Sequence, residues 1–121
     1  MSEDDLKHGL ALFYQFHHPD SARSAQLQTI NQTIREFKVI QEWFKKQTTY
    51  HFYSSSVIVV YDAELNDTNS VRIKIADFAH VFPAEDRIDE NYLYGLNNLV
   101  EHLKILLDPE YRFRDVRNNL Q

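Results

Sequence analysis

The most constraining feature of the sequence is a long stretch of helical periodicity between Ala22 and Lys46. Apolar side chains recur in it at intervals of three, four or seven residues, namely at Leu27, Ile30, Ile34, Phe37 and Phe44. This spacing places all of them on one face of an α-helix. The pattern therefore predicts a helix over about 22–46, and it is the strongest periodic signal in the chain.

Two further helices are predicted, one on each side of this stretch. The first runs from about Asp4 to Phe16. It follows Ser2, and serine commonly caps helix N-termini. The last helix carries its apolar residues on one side, at Tyr92, Leu96, Leu99, Val100, Leu103 and Leu106.

Strand patterns occupy the middle of the chain. The run Ser56–Tyr61 is almost entirely apolar and of strand length, which suggests a strand buried on both faces. After the polar segment 62–70, apolar residues alternate with Arg72 and Lys74, as in a half-exposed strand. We expect the two strands to form an antiparallel hairpin. The predicted fold is α+β, with helices packed on a small hairpin sheet in a single domain over residues 1–121.

Composition excludes several classes of function. The 121 residues carry a formal net charge of −5 and include no cysteine. The negative balance argues against a general nucleic-acid binder, and the lack of cysteine excludes disulfides and thiolate chemistry. The longest apolar stretch is too short to span a membrane, and the acidic first residues do not resemble a secretion signal. These features predict a cytoplasmic or nuclear protein.

Asp77 is the first candidate site residue, because it follows an alternating strand where the backbone leaves the sheet. A carboxylate there can ligate Mg²⁺, which usually takes one or two carboxylates together with water and substrate phosphates. The alternative is that Asp77 only caps a turn. His80, three residues later, could face the same pocket and bind a phosphate, or it could be a structural histidine. The other five histidines show no metal-ligand spacing, and His102 is interpreted as a helix-surface residue.

Two other segments could hold an anion. The serines 54–56 precede the apolar strand, and their hydroxyl and backbone N–H groups could line a phosphate pocket, although such a triplet more often only starts a strand. The basic and aromatic segment from Tyr111 to Arg114 could contact an anion or RNA. A solvated terminus is the favoured interpretation of that segment.

The order of these pieces resembles the inositol polyphosphate kinase family. The resemblance rests on the serine motif with its strand in 50–62, on Asp-Phe-Ala-His at 77–80, and on Asp-x-x-Tyr-x-x-Gly-Leu-x-x-Leu at 89–99. The context 52–56 looks most like the inositol hexakisphosphate kinases, with the inositol polyphosphate multikinases a close second.

The resemblance implies a kinase that transfers the γ-phosphoryl group of ATP to an inositol polyphosphate, with the hexakisphosphate as the expected substrate. It implies that Asp77 binds the Mg²⁺ bridging the ATP phosphates and that Ser55 and Ser56 line the phosphate side of that site. His80 matches the position that faces the inositol phosphate and is the catalytic candidate.

The similarity spans about Lys7 to Leu107, which in the family is only the C-terminal portion of the enzyme. A Pro-x-x-x-Asp-x-Lys-x-Gly motif and an N-terminal lobe are not found. The chain is therefore expected to have weak or no activity alone. The alternative is a non-catalytic interaction module, derived from the kinase C-terminal scaffold, that binds a protein partner on the face the missing lobe would cover.

Overall fold

The computed structural model describes residues 2–18, 22–53, 55–67, 69–78 and 80–113. Its elements, in chain order, are α1 (Glu3–Phe13), α2 (Arg23–Lys46), β1 (Tyr50–Phe52), β2 (Ser56–Val60), β3 (Arg72–Ala76), β4 (Val81–Pro83) and α3 (Glu90–Leu106). Helices combined with two small antiparallel sheets confirm the predicted α+β class. Ser54 and Arg114, two residues of the predicted anion-binding segments, lie outside the described residues.

Helix α1 begins at the predicted cap and ends earlier than predicted. The Ser2 hydroxyl accepts a hydrogen bond from the Asp5 N–H (3.1 Å), and the Asp5 carboxylate accepts one from the Ser2 N–H (3.2 Å). This reciprocal pair satisfies two N–H groups that a helix start leaves without partners. The helix ends at Phe13 because Gln15 adopts a left-handed conformation (φ 67°) and the Phe16 N–H turns back to the Ala11 carbonyl (2.9 Å).

Helix α2 buries three polar residues together with its apolar face. Thr29 and Thr33 each donate to the carbonyl one turn earlier, and Gln26 donates to the Gln15 carbonyl (2.8 Å). Thr33 also accepts a hydrogen bond from the Tyr14 hydroxyl (2.8 Å). These bonds compensate the loss of hydration at the two threonine hydroxyls and at the Gln26 amide nitrogen, whereas the Gln26 Oε1 is buried without a hydrogen-bond partner among the described residues.

The predicted hairpin is confirmed as β2 paired antiparallel with β3, with Val57 opposite Ile75 and Val59 opposite Ile73. The expectation that β2 is buried on both faces is wrong. Val57 and Val59 pack on the core, whereas Ile58 and Val60 are 45% and 57% exposed on the outer face. The cause is that, within the described part of the chain, the helices pack on one face of this hairpin only.

A second sheet, in which β1 pairs antiparallel with β4, was not predicted. Each of its strands has three residues, which is too short for a periodic signal.

The interpretation of His102 as a surface residue is also wrong, because this side chain is 5% exposed. Its Nδ1 lies 2.8 Å from the Asn98 carbonyl one turn earlier in α3. Since a carbonyl can only accept, Nδ1 carries the proton and donates in this bond. The local partner allows the ring to be buried without an orphaned N–H.

Among the described residues, no helix is both long enough and apolar enough to cross a membrane.

Candidate functional site

Two of the predicted motif segments lie side by side where the two sheets meet. The Ser55 hydroxyl donates a hydrogen bond to the Asp77 carbonyl (3.0 Å), and the Tyr53 N–H donates to the His80 carbonyl (2.9 Å). Ser56, the first residue of β2, pairs with Ala76 next to Asp77. The structure therefore brings the segments of all four predicted site residues together.

Asp77 leaves β3 in a left-handed conformation, with φ of 68°, and its side chain is exposed. Aspartate adopts this conformation more readily than most residues other than glycine. The conformation ends the strand, and the Ser55 hydroxyl fixes the turn. The result is a solvent-accessible carboxylate at one end of the hairpin.

The exposed Asp77 carboxylate suits a metal ion that is also bound by a substrate, rather than an ion held by protein ligands alone. No group of three or more His, Cys, Asp or Glu residues that could hold a metal ion occurs in the described part of the chain. Mg²⁺ does not need such a group, since it commonly binds through one or two carboxylates and completes its shell with water and substrate phosphates. Asp77 can be one ligand of an ion of that kind.

The two serines have different surroundings. Ser55 is half-buried and directs its single hydroxyl hydrogen to the Asp77 carbonyl, so in this arrangement its oxygen can only accept from a ligand. Ser56 is exposed on the outer face of the hairpin. Ser55 thus holds the Asp77 turn in place, while Ser56 is the serine whose side chain is open to a ligand.

His80 lies immediately before β4, with its side chain exposed. Its backbone is fixed by the bond from Tyr53, so the segment from Asp77 to His80 connects the two sheets. An exposed imidazole three residues after the metal-ligand candidate can donate a hydrogen bond to an anionic ligand.

A lysine that the sequence analysis did not single out as a site residue lies on the same outer face of the hairpin as Ser56. Lys74 is exposed and lies opposite Ile58, two pairs along from the pair of Ser56 with Ala76 and on the same face as Ser56. Diagonal neighbours of this kind are about 7–8 Å apart at Cα, within reach of a lysine side chain. The signal was available, because the alternation in 71–75 already placed Lys74 on the solvent face.

Sequence reasoning also missed the direct support of this site by Asp89 and Tyr92. Asp89 is 3% exposed, and its carboxylate accepts hydrogen bonds from the Phe52 N–H (2.6 Å) and the Tyr92 N–H (3.0 Å). The Tyr92 hydroxyl donates to the Ser55 carbonyl (3.2 Å). Burial, and secondarily the Asp89 charge, raises the pKa of Tyr92 above its usual range. The sequence identifies Asp89 as a helix N-cap, but it does not show that Asp89 and Tyr92 also bind the backbone at residues 52 and 55.

A cavity of about 460 Å³ opens beside Ser55, between α3 and the strands β1 and β2. Its polar lining comes from Tyr53, Ser55, Asn91 and Tyr92. The volume lies in the range of small-ligand sites, and the hydroxyl and amide groups offer hydrogen bonds to a polar ligand.

Known proteins resemble this chain in both sequence and fold. The family model for inositol polyphosphate kinase matches residues 1–104. The inositol polyphosphate multikinase alpha of Arabidopsis thaliana is 33% identical over 99 residues, covering 76% of this chain and 35% of that protein. The inositol hexakisphosphate kinase 3 of Mus musculus is 26% identical over 118 residues, covering 79% of this chain and 29% of that protein.

A solved structure from studies of an inositol phosphate multikinase has a similar fold. It superposes with a TM-score of 0.54 at 34% identity, over 59% of this chain and 32% of that one. The chain thus spans about a third of the length of these relatives.

Proposed function

The chain belongs to the inositol polyphosphate kinase family, and from this premise we propose that it forms part of a kinase that transfers the γ-phosphoryl group of ATP to an inositol polyphosphate. The observation that carries the proposal is the pairing of the serine segment with the Asp77–His80 segment. A hydrogen bond at each end, from Ser55 to Asp77 and from Tyr53 to His80, holds the two family motifs together.

Asp77 is proposed to bind Mg²⁺ together with the phosphates of ATP. When bound, the ion neutralises the negative charge that accumulates on the transferred phosphoryl group. The role of this chain is to hold one carboxylate rigidly at the end of β3, and the Ser55 hydroxyl supports it there.

Ser56 and Lys74 are proposed to contact ATP phosphate oxygens from the outer face of the hairpin. A hydroxyl donor and an ammonium group on one exposed face suit an anionic ligand. Ser55 lines the same side and acts mainly by positioning Asp77. His80 is proposed to donate to a phosphate of the inositol substrate.

Inositol hexakisphosphate is the proposed substrate, on the strength of the 52–56 context. The multikinase relatives make lower inositol polyphosphates the necessary comparison. We propose further that the chain corresponds to the C-terminal portion of the family fold, so that its activity alone is weak while its share of the ATP site is retained.

Nucleotide binding is the measurement that tests the proposal. Binding of ATP to the chain is measured by calorimetry with and without Mg²⁺, for the natural sequence and for Asp77→Asn. We expect the Mg²⁺-dependent gain in affinity to fall by about tenfold or more in the variant, since a direct charged ligand contributes about 1.4 kcal/mol or more.

Asp86→Asn is the matched control, because Asp86 is also an exposed aspartate in a left-handed conformation (φ 64°). It should bind as the natural sequence does. An equal loss in both variants, or no Mg²⁺-dependent ATP binding by the natural sequence, would contradict the assignment of Asp77. Phosphorylation of hexakisphosphate and of lower inositol polyphosphates is assayed in parallel to identify the substrate.

A further inference from the structure

The cavity of about 460 Å³ beside Ser55 is not used by the proposed kinase function. Its walls come from the inner face of the hairpin, at Val57, and from one face of α3. Ser56 and Lys74, the proposed contacts of the ATP phosphates, lie on the outer face of the same hairpin. The backbone of the hairpin therefore separates the cavity from those contacts.

The described residues that line this cavity include no charged side chain. The Asp89 carboxylate binds the backbone N–H groups of two lining residues, Phe52 and Tyr92, but it is only 3% exposed and is not part of the lining. A charged ligand would lose hydration in the cavity without meeting an opposite charge. The lining therefore favours a neutral ligand.

Two hydroxyl groups of the lining can accept hydrogen bonds from a ligand but cannot donate them. The Tyr92 hydroxyl donates to the Ser55 carbonyl (3.2 Å), and the Ser55 hydroxyl donates to the Asp77 carbonyl (3.0 Å). Since each hydroxyl has one hydrogen, only oxygen lone pairs remain for a ligand. These lone pairs favour a ligand with an N–H or O–H donor and disfavour an anion.

Most of the other lining residues are apolar. Phe52 and Leu96 are buried, Val57 packs on the core, and the ring centre of Tyr92 lies 5.9 Å from that of Phe52. Aromatic rings attract another aromatic ring more strongly than its buried area alone accounts for. Gly95 leaves the α3 wall without a side chain, and a Cβ atom at this position would meet nothing within 4 Å. The cavity therefore has room for a ring on this side.

We propose that this cavity binds a neutral aromatic molecule that carries an N–H or O–H donor. The donor contacts the Tyr92 hydroxyl oxygen, and the ring lies against Phe52, Val57 and Leu96. The volume lies in the range of sites that enclose small organic ligands. ATP and inositol phosphates carry negative charges that this lining does not match, so the ligand is of a different class from the proposed kinase substrates.

Indole and 1-methylindole test the proposal, because only indole has the N–H donor. Amide NMR spectra of the chain are recorded during titration with each compound, without nucleotide or Mg²⁺, so the result does not depend on the proposed kinase function. We expect saturable shifts from indole at the amides of Phe52, Ser55 and 91–99, with 1-methylindole binding about threefold more weakly. In a cavity that selects for apolar area alone, the added methyl group would make 1-methylindole the tighter ligand, so the order of the two affinities is decisive.

Tyr92→Phe should remove the preference for indole. The variant keeps the ring and lacks the oxygen that accepts from the ligand, so indole should bind about threefold more weakly while the affinity for 1-methylindole stays the same. The unchanged affinity for 1-methylindole also shows that the cavity is still formed. Tyr94→Phe, the same change at an exposed tyrosine of α3, is the matched control and should leave both affinities unchanged.

Gly95→Trp tests the location of the site. Residue 95 lies on the same face of α3 as Tyr92 and Leu99, so a large side chain there occupies the cavity and should weaken indole binding by about tenfold or more. Gly9→Trp is the matched control, because Gly9 is also a helical glycine at which a Cβ atom would meet nothing within 4 Å. Gly9 does not line this cavity, and its variant should bind indole as the natural sequence does.

Four outcomes would overturn the proposal. The first is binding of 1-methylindole as tight as that of indole, or tighter. The second is an unchanged preference for indole in Tyr92→Phe, and the third is equal weakening by Gly95→Trp and Gly9→Trp. The fourth is that no amide of the cavity lining shows a saturable shift, or that the shifts are centred on the apolar groove lined by Leu10, Tyr14 and Leu103.

Discussion

The carboxylate of Asp89 connects two elements that lie next to the candidate site. It caps α3 through the Tyr92 N–H and holds β1 through the Phe52 N–H. We expect Asp89→Ala to lower the free energy of unfolding by about 2–4 kcal/mol, because it removes a helix cap and leaves a buried backbone N–H without a partner. Urea unfolding followed by circular dichroism measures this change.

Glu90→Ala is the control for Asp89→Ala, since Glu90 is the next residue and is exposed. Its effect should stay within about 0.5 kcal/mol. A loss of less than about 1 kcal/mol for Asp89→Ala would show that the two backbone bonds do not hold the junction.

The position of a single residue could be predicted at the end of a regular strand, but the burial of a polar residue that depends on the assembled packing could not. Asp77 was placed correctly at the end of β3, since strand alternation fixes where the backbone leaves the sheet. Asp89 and His102 are both polar, and their sequence neighbours do not reveal that each is buried. Their hydrogen bonds, to β1 and to the preceding turn of α3, are what permit the burial.

At the scale of elements, the two faces of β2 differ in how deeply their side chains are buried. Val59 packs on the core, while the adjacent Val60 is 57% exposed. We expect Val59→Thr to cost about 1–2 kcal/mol, because it places a hydroxyl against apolar neighbours. Val60→Thr, the same chemical change one residue later, should stay within about 0.5 kcal/mol. Thermal and urea unfolding of the two variants compare the faces directly, and equal losses would contradict the one-sided burial of the hairpin.

The elements with long patterns were the ones that the sequence predicted. Helices α2 and α3 and the hairpin of β2 and β3 repeat their spacing often enough to distinguish helix from strand. The sheet of β1 and β4 joins two three-residue strands, with Phe52 paired to Val81 across the chain. No local spacing encodes such a pairing, so it was missed.

At the scale of the whole molecule, the α+β fold class could be predicted from the sequence and the cavities could not. The order of helices and strands follows from local spacing, whereas the cavity beside Ser55 depends on the contact of Tyr92 with Ser55, which are far apart in sequence. The position of such a cavity could therefore be found only from the assembled structure.

The packed tyrosines predict how the stability of the whole chain depends on pH. Burial is the main cause that raises the pKa of Tyr14, Tyr61, Tyr92 and Tyr111 above the usual value near 10. Above about pH 10 the unfolded chain releases these protons while the folded chain retains them. The stabilisation is therefore fully present below about pH 10 and is lost as the pH rises from there towards the folded-state values. We expect the free energy of unfolding to fall steeply over that range.

Tyr14→Phe tests this, since Tyr14 is 2% exposed and is the most buried of the four. A tyrosine that ionises only on unfolding contributes a slope of up to about 1.4 kcal/mol per pH unit, and the partly exposed tyrosines contribute less because water screens them.

At neutral pH the Tyr14→Phe variant should lose about 1 kcal/mol of stability, because it lacks the hydrogen bond to Thr33. Above about pH 10 its stability should fall less steeply than that of the natural sequence. Urea unfolding between pH 8 and pH 11.5 measures both effects. Tyr94→Phe is the control for the chemical change itself, because Tyr94 is 73% exposed and not packed in the core. Equal slopes for Tyr14→Phe and the natural sequence would show that Tyr14 ionises in the folded chain, and hence that the contact of α1 with α2 around Thr33 opens before the rest of the core.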